Sequence, residues 1–154
     1  MNNLNAFSQH FADILFRAFP EWRKYARYDD TEGVAAGTIH IIVPHPEDTE
    51  KRLDIWTVND EVTVGWYGWH THFNNWSGIS DEDAYQQAMS MIRDLIDDEF
   101  ILAVCFDHDG TVGRAWEYSV GDDFAEAYTY QKKHADKQVC LRSWRGSHDR
   151  CLKA

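Results

Sequence analysis

Residues 53–67 of the sequence read LDIWTVNDEVTVGWY, and this stretch decides the fold class. Residues 53–58 and 61–67 are rich in β-branched and aromatic side chains, which favours two strands. Asn59 and Asp60 separate them and have the residue types of a two-residue hairpin turn. In the second strand Val62, Val64 and Trp66 alternate with small or polar residues. An antiparallel hairpin with one buried face is therefore predicted.

Further elements follow on both sides of this hairpin. The periodic apolar pattern predicts a helix over residues 4–18, and Ser80 starts a second helix over 80–96 with a capping-box-like signal. Strands are predicted at 38–43, 100–106, 112–120 and 137–144, and 122–130 is a short helix or a loop. We therefore predict one α+β domain over residues 1–154, with a mostly antiparallel sheet, helices packed on one face, and the order α-βββ-α-ββ-(α)-β.

The composition indicates a soluble, cytoplasmic protein. About 44% of the 154 residues are hydrophobic, which is too many for a disordered chain. The longest unbroken apolar run has seven residues, at 100–106, whereas a membrane-spanning helix needs about 20. No secretory signal is visible before Arg17. Cys105, Cys140 and Cys151 form no CxxC pair, so we expect three reduced thiols.

The charge is strongly uneven along the chain. The formal net charge is −11, and residues 29–131 contain 22 acidic but only 4 basic residues. Residues 132–154 contain 7 basic and 2 acidic residues. An acidic surface repels a phosphate backbone, which disfavours nucleic-acid binding, whereas it attracts a basic protein. Plain solubility is the simpler explanation of the same charge.

The densest chemical cluster is GWYGWHTHFNNW at residues 65–76. On a strand, His70 and His72 point to one face and form an HxH pair that can share a metal ion. A third ligand is missing from the nearby sequence, since Asn74 and Asn75 stand where an acid would help. The alternatives are a polar, aromatic-walled surface and an acid–base role in a pocket.

Complete catalytic signatures are absent from the sequence. There is no GxSxG elbow, no phosphate-binding loop and no dinucleotide fingerprint. The sequence therefore gives no catalytic residue, no metal ligand set and no cofactor. Trp69 and Trp76 flank the histidines and are less easily assigned to a core than the tryptophans of predicted strands. Exposed tryptophans are common anchors of protein interfaces.

The chain resembles small immunity proteins of bacterial polymorphic-toxin systems. The resemblance covers roughly residues 36–150 and lies in three features: the stretch from Gly68 to Phe73, the capped helix after it, and a late strand that ends in RSWRGSHD at 142–149. It implies a non-enzymatic cytoplasmic inhibitor that binds a cognate toxin domain. The acidic middle section agrees with a basic partner.

Three functions remain open on this basis. The first is an immunity-type module that binds a basic toxin domain, with no nucleic acid or membrane partner and an oligomeric state that the sequence leaves undetermined. The others are a small metal-dependent hydrolase that uses His70 and His72, and a small-ligand domain with a pocket of Trp66, Trp69 and Phe73. Charge reversal of Asp94 and Asp97 is expected to slow association with a basic partner. The candidate binding residues are Trp69, His70, His72, Phe73, Trp76, Asp94 and Asp97.

Overall fold

The computed structural model describes residues 4–28, 35–48 and 51–153 of the chain. It has the predicted α+β class and contains the predicted elements in the predicted order, with three additional strands of three, six and two residues. Its contacts group the chain into two compact units, residues 1–90 and 91–154. The single domain expected from chain length stays a prediction. None of the described helices is both long and apolar enough to cross a bilayer.

Helix α1 (Ala6–Ala18) starts the first unit. The Asn5 side chain caps it by accepting a 2.7 Å hydrogen bond from the Ser8 amide. Its apolar stripe is buried, as the sequence pattern predicts, and includes Phe11 and Leu15 with no exposed surface. The helix stops before Pro20, which opens a 3₁₀ helix at Pro20–Tyr25.

The first unit contains a five-stranded antiparallel meander. Its strands are β1 (Ala26–Tyr28), β2 (Ile39–Pro44), β3 (Arg52–Val58), β4 (Glu61–Trp66) and β5 (Trp69–Asn74), and they neighbour one another in chain order. The Asn59-Asp60 turn has positive φ at both residues (53° and 55°), as a type I′ hairpin requires. Tyr67 and Gly68 repeat this geometry and turn the chain into β5.

Strand alternation gives this sheet two different faces. One face is buried over β2 to β4 and contributes Ile39, Ile41, Leu53, Ile55, Val62 and Val64 to the core. The opposite face we call the open face, because its side chains range from buried to exposed. The register places His40, Trp56, Thr63 and His72 in one row across β2 to β5, and Asp54, Gly65 and His70 in the next. These residues, with Glu61, define the open face.

Helix α2 (Asp81–Ile96) begins with the capping interaction that the sequence predicts. The Asp83 amide donates to Ser80 Oγ at 3.1 Å, and the Ser80 amide donates to the Asp83 carboxylate at 3.2 Å. The acidic first turn is favourable at the positive end of the helix dipole. The helix ends at Ile96, just before the three carboxylates of residues 97–99.

The second unit contains a separate four-stranded antiparallel sheet. Its strands are β6 (Phe100–Phe106), β7 (Val112–Ser119), β8 (Gln138–Arg142) and β9 (Arg150–Cys151), in the order β7-β6-β8-β9. Helix α3 (Ala125–Lys133) precedes β8, and its Ala127 joins the core formed with Ile101, Ala103, Trp116, Val139 and Leu141. The described strands thus form two sheets rather than one, because α2 interrupts the run of hairpins.

The prediction of three reduced cysteines is wrong for two of them. Cys140 and Cys151 form a disulfide. The antiparallel register places Cys140 on β8 directly opposite Cys151 on β9, although the two residues are 11 positions apart in the sequence. Cys105 is a free, buried thiol, as expected. Burial raises its pKa, so it has little thiolate character.

Candidate functional site

The predicted site residues on β5 separate onto the two faces of the sheet. Strand β5 lies at the edge, and its pleat places exposed His70 and His72 on the open face. Trp69 and Phe73 alternate with them, point to the other face and are half-buried. The structure therefore brings the two histidines together but separates them from Trp69 and Phe73.

Trp66 cannot line the predicted aromatic pocket of Trp66, Trp69 and Phe73. Trp66 retains only 1% of its surface and belongs to the core. It ends β4 opposite Trp69, at the hairpin turn. Trp66 shares the face of Val62 and Val64 along β4 and is buried there, so its indole does not line an open pocket.

Glu61 organises one end of the open face. His72 Nδ1 lies 2.5 Å from its carboxylate, Asn74 donates to it at 2.8 Å, and the Thr63 hydroxyl donates at 3.1 Å. Burial alone would raise the pKa of Glu61, but these three hydrogen bonds outweigh burial and hold the pKa below its ordinary value. Glu61 is only 8% exposed and fixes the orientation of the exposed His72 ring.

Trp56 covers the centre of the open face. Its ring lies 6.4 Å from that of His70 and 5.9 Å from that of His40, measured between centroids. A Cβ placed on Gly65 would stand 3.1 Å from Trp56 Cζ3. The glycine therefore makes room for the indole, and the indole covers backbone that no side chain of residue 65 protects.

A second carboxylate lies at the other side of Trp56. Asp54 contacts His40 Nε2 at 3.2 Å and accepts a 2.8 Å hydrogen bond from Arg52. Burial raises its pKa, but the contacts with His40 and Arg52 lower it by more, so the pKa of Asp54 lies below its ordinary value. The open face thus contains two ionised carboxylates, each bound to a histidine.

The metal hypothesis finds no third ligand in the described residues. His70 and His72 lie with ring centroids 4.9 Å apart in a T-shaped arrangement, and Nδ1 of His72 already contacts Glu61. No group of three His, Cys, Asp or Glu side chains in residues 4–28, 35–48 and 51–153 is arranged to hold a metal ion. Both histidines are exposed on the open face.

Trp76 is the most exposed large hydrophobic residue of the described chain, at 72%. It lies on the short 3₁₀ helix Asn75–Ser77 directly after β5, and its amide donates to the Asn74 side chain at 3.1 Å. Asn75 donates to the Asp81 carboxylate at 2.8 Å and so links this turn to the start of α2. Trp76, which the sequence did not readily assign to a core, thus lies on the surface.

Carboxylates lie at the start of α2, which the Asn75–Asp81 hydrogen bond links to the turn that carries Trp76. Asp81, Glu82 and Asp83 form the first turn of α2, and Asp60 stands in the β3–β4 turn. Burial, followed by the negative charges of Asp81, Asp60 and Glu82, raises the pKa of Tyr85 to about 12. We call Asp60, Asp81, Glu82 and Asp83 the acidic patch. The sequence candidates for binding included Asp94 and Asp97 but none of these four acids.

Asp94 and Asp97 are both exposed on the last part of α2 and beyond its end. Asp97 pairs with Arg145 at 3.1 Å. The neighbouring Asp98 is buried and accepts hydrogen bonds from the Arg145 amide and from Ser143 and Ser147. The basic tail therefore compensates part of this acidic cluster, a pairing that the sequence analysis did not anticipate.

Comparison with protein-family models, curated proteins and solved structures returned no match for this chain.

Proposed function

We propose that the chain is a non-enzymatic, cytoplasmic protein-binding module that inhibits a cognate basic toxin domain, as immunity proteins do. The observation that carries the proposal is the exposed Trp76 beside the acidic patch. The resemblance of the sequence to immunity proteins is the reason to propose a toxin as the partner. The surface around Trp76 is the reason for the proposed mode of binding.

Trp76 has the properties of an interface anchor. A tryptophan at the centre of an interface contributes a large apolar area, and its truncation commonly costs 2 kcal/mol or more in binding, about a 30-fold loss of affinity. A side chain that is 72% exposed leaves this area available to a partner. The short turn that presents it is tied to α2 by the Asn75–Asp81 hydrogen bond, which limits its conformational freedom before binding.

The acidic patch supplies selectivity for a basic partner. Its carboxylates lie at the start of α2 and in the neighbouring turn, and Glu82 and Asp83 are exposed. Among the described residues, His10 is the only side chain able to carry a positive charge that pairs with the acidic patch. Its Nε2 atom lies 3.3 Å from the Glu82 carboxylate. Negative potential next to an aromatic anchor favours lysine- and arginine-rich surfaces, speeds their association and repels nucleic acid.

The experiment is co-expression with the toxin-like product of a neighbouring open reading frame. We expect the wild-type chain to restore growth and to form a complex on gel filtration. Trp76→Ala should weaken the complex by about 30-fold. Tyr128→Ala is the matched control. Tyr128 is another exposed aromatic residue, with 37% of its surface accessible, and it lies on α3, far from Trp76 in the sequence. The control should bind like wild type.

Failure to restore growth, together with no complex on gel filtration, would overturn the proposal. Equal losses in the Trp76 and Tyr128 variants would remove the role of Trp76 as the anchor. Elemental analysis of the purified chain gives an independent check: stoichiometric zinc or iron that disappears in His70→Ala and His72→Ala would instead support the hydrolase.

A further inference from the structure

A groove in the second unit has no role in the proposed function. It lies between β7, the edge strand of the four-stranded sheet, and helix α3. Arg114 and Trp116, two positions apart on β7, line one side of the groove. Residues on one face of α3 line the other side. Its volume is about 280 Å³. The α3 residues that line it are Ala125, Glu126, Thr129, Tyr130 and Lys133.

Aromatic rings form the wall of the groove and hold a guanidinium at its mouth. Trp116 and Tyr130 meet edge to face, with centroids 5.1 Å apart. The Arg114 guanidinium lies 4.9 Å from the Trp116 centroid and 5.5 Å from that of Tyr130. Stacking on both rings restricts the planar donor fork before any ligand arrives, which lowers the entropy cost of binding.

The charge of the groove is opposite to that of the chain. Arg114 and Lys133 are two cations against the single carboxylate of Glu126, in a chain of net charge −11. Neither cation forms an ion pair within 4.0 Å among the residues that the structure describes. Arg114 therefore keeps its bidentate donors available for an external carboxylate, and Lys133 adds a second positive charge at the rim.

We propose that this groove binds a small planar aromatic carboxylate. The ring of the ligand packs against the half-buried Tyr130 and the exposed Ala125, its carboxylate accepts two hydrogen bonds from Arg114, and Lys133 adds a further ion pair. The volume suits a ligand of one or two rings, since it is slightly below the range of drug-sized pockets, about 300–1,000 Å³. The proposal is independent of toxin binding, since it uses other residues.

Isothermal titration of the full chain with indole-3-carboxylate tests this site. We expect saturable binding to one site, and at least about a tenfold loss of affinity for the uncharged indole-3-carboxamide. Arg114→Gln should lose about tenfold or more, and Arg114→Lys should lose nearly as much because the planar fork is gone. Lys133→Gln should lose less. Lys132→Gln is the matched control, an exposed lysine of the same helix that does not line the groove.

Three results would overturn the proposal. They are no binding of indole-3-carboxylate up to millimolar concentration, equal binding of the carboxylate and the carboxamide, and equal losses in the Lys132 and Arg114 variants. Inorganic phosphate forms a separate arm: phosphate that binds as tightly as the aromatic carboxylate would show a general anion site and would also contradict the proposal.

Discussion

At the residue scale, substitution of Glu61 measures how much a single buried carboxylate stabilises the first unit. It accepts hydrogen bonds from His72, Asn74 and Thr63. Glu61→Gln removes the charge and replaces one acceptor oxygen by a donor. We expect the free energy of unfolding at about pH 7 to fall by about 1–3 kcal/mol, because hydrogen bonds to a buried charged group lose their strength. Urea denaturation measures it.

The same variant tests the pH dependence of stability. Because the folded pKa of Glu61 lies below its unfolded value, its contribution is present above the unfolded pKa and disappears as pH falls through the folded pKa. The difference between wild type and Glu61→Gln should therefore shrink as the pH decreases from about 7 to about 3. Glu117→Gln, at an exposed strand position, should show little difference at either pH. A gap that stays constant across this range would contradict the ionised Glu61.

Gly65 gives a second residue-scale prediction. An alanine methyl would stand 3.1 Å from Trp56 Cζ3 and 3.4 Å from Cη2, so the indole would have to move. We expect Gly65→Ala to destabilise the chain by about 1 kcal/mol. In a Trp56→Ala background the same change should be neutral or stabilising, since the obstacle is gone and the alanine reduces unfolded-state entropy. Equal effects in the two backgrounds would show that Trp56 is not the obstacle.

At the element scale, the short strand β9 depends on the Cys140–Cys151 disulfide. Strand β9 has two residues, and the buried Leu152 follows it into the core of the second unit. Cys151→Ser should lower the free energy of unfolding by about 3 kcal/mol without reductant, because the disulfide closes a loop of about 11 residues. Excess reductant should make wild type and the variant equally stable.

Thiol counting on the unfolded chain checks the pairing directly. We expect one reactive thiol, Cys105, before reduction and all three cysteines after it. Cys105→Ser serves as the control, since it should leave the effect of reductant on stability unchanged. Three thiols in protein kept under non-reducing conditions would contradict the disulfide. The count also bears on the proposed cytoplasmic location, because structural disulfides are rare in that compartment.

At the scale of the whole molecule, the net charge of −11 sets a long-range field. We expect charge reversal at Asp94 and Asp97 to slow association with the basic partner at about 50 mM salt, with the effect fading towards about 300 mM. Folding stability should change by less than about 1 kcal/mol, because the Asp97–Arg145 pair is solvent-exposed. Stopped-flow mixing measures the association rate.

Charge reversal at Asp81 and Glu82 is the matched comparison, since it removes the same amount of negative charge. It should slow association similarly and, unlike the first pair, also accelerate dissociation, because these two residues belong to the acidic patch beside Trp76. Rates and salt slopes equal to wild type in both variants would contradict any electrostatic role. A dissociation rate of the Asp81 and Glu82 variant equal to that of the Asp94 and Asp97 variant would show that the acidic patch lies outside the interface.

The sequence by itself determined the local elements of this protein. Alternation predicted the β3–β4 hairpin, helical spacing predicted α1, and Ser80 predicted the start of α2; all are present. These features depend on neighbours within a few positions, which is why pattern and turn chemistry suffice. The sequence predicted no strand over residues 69–74, and on a strand His70 and His72 share a face, as they do on β5.

Only the tertiary structure decided which of these elements meet. The separation into two sheets and the pairing of Glu61 with His72 both depend on strand registers. The Cys140–Cys151 disulfide likewise follows from the β8–β9 register. Such contacts join residues that are far apart in the sequence. The strand register that brings them together is chosen because it buries one whole face of the sheet, and no short sequence pattern contains that information.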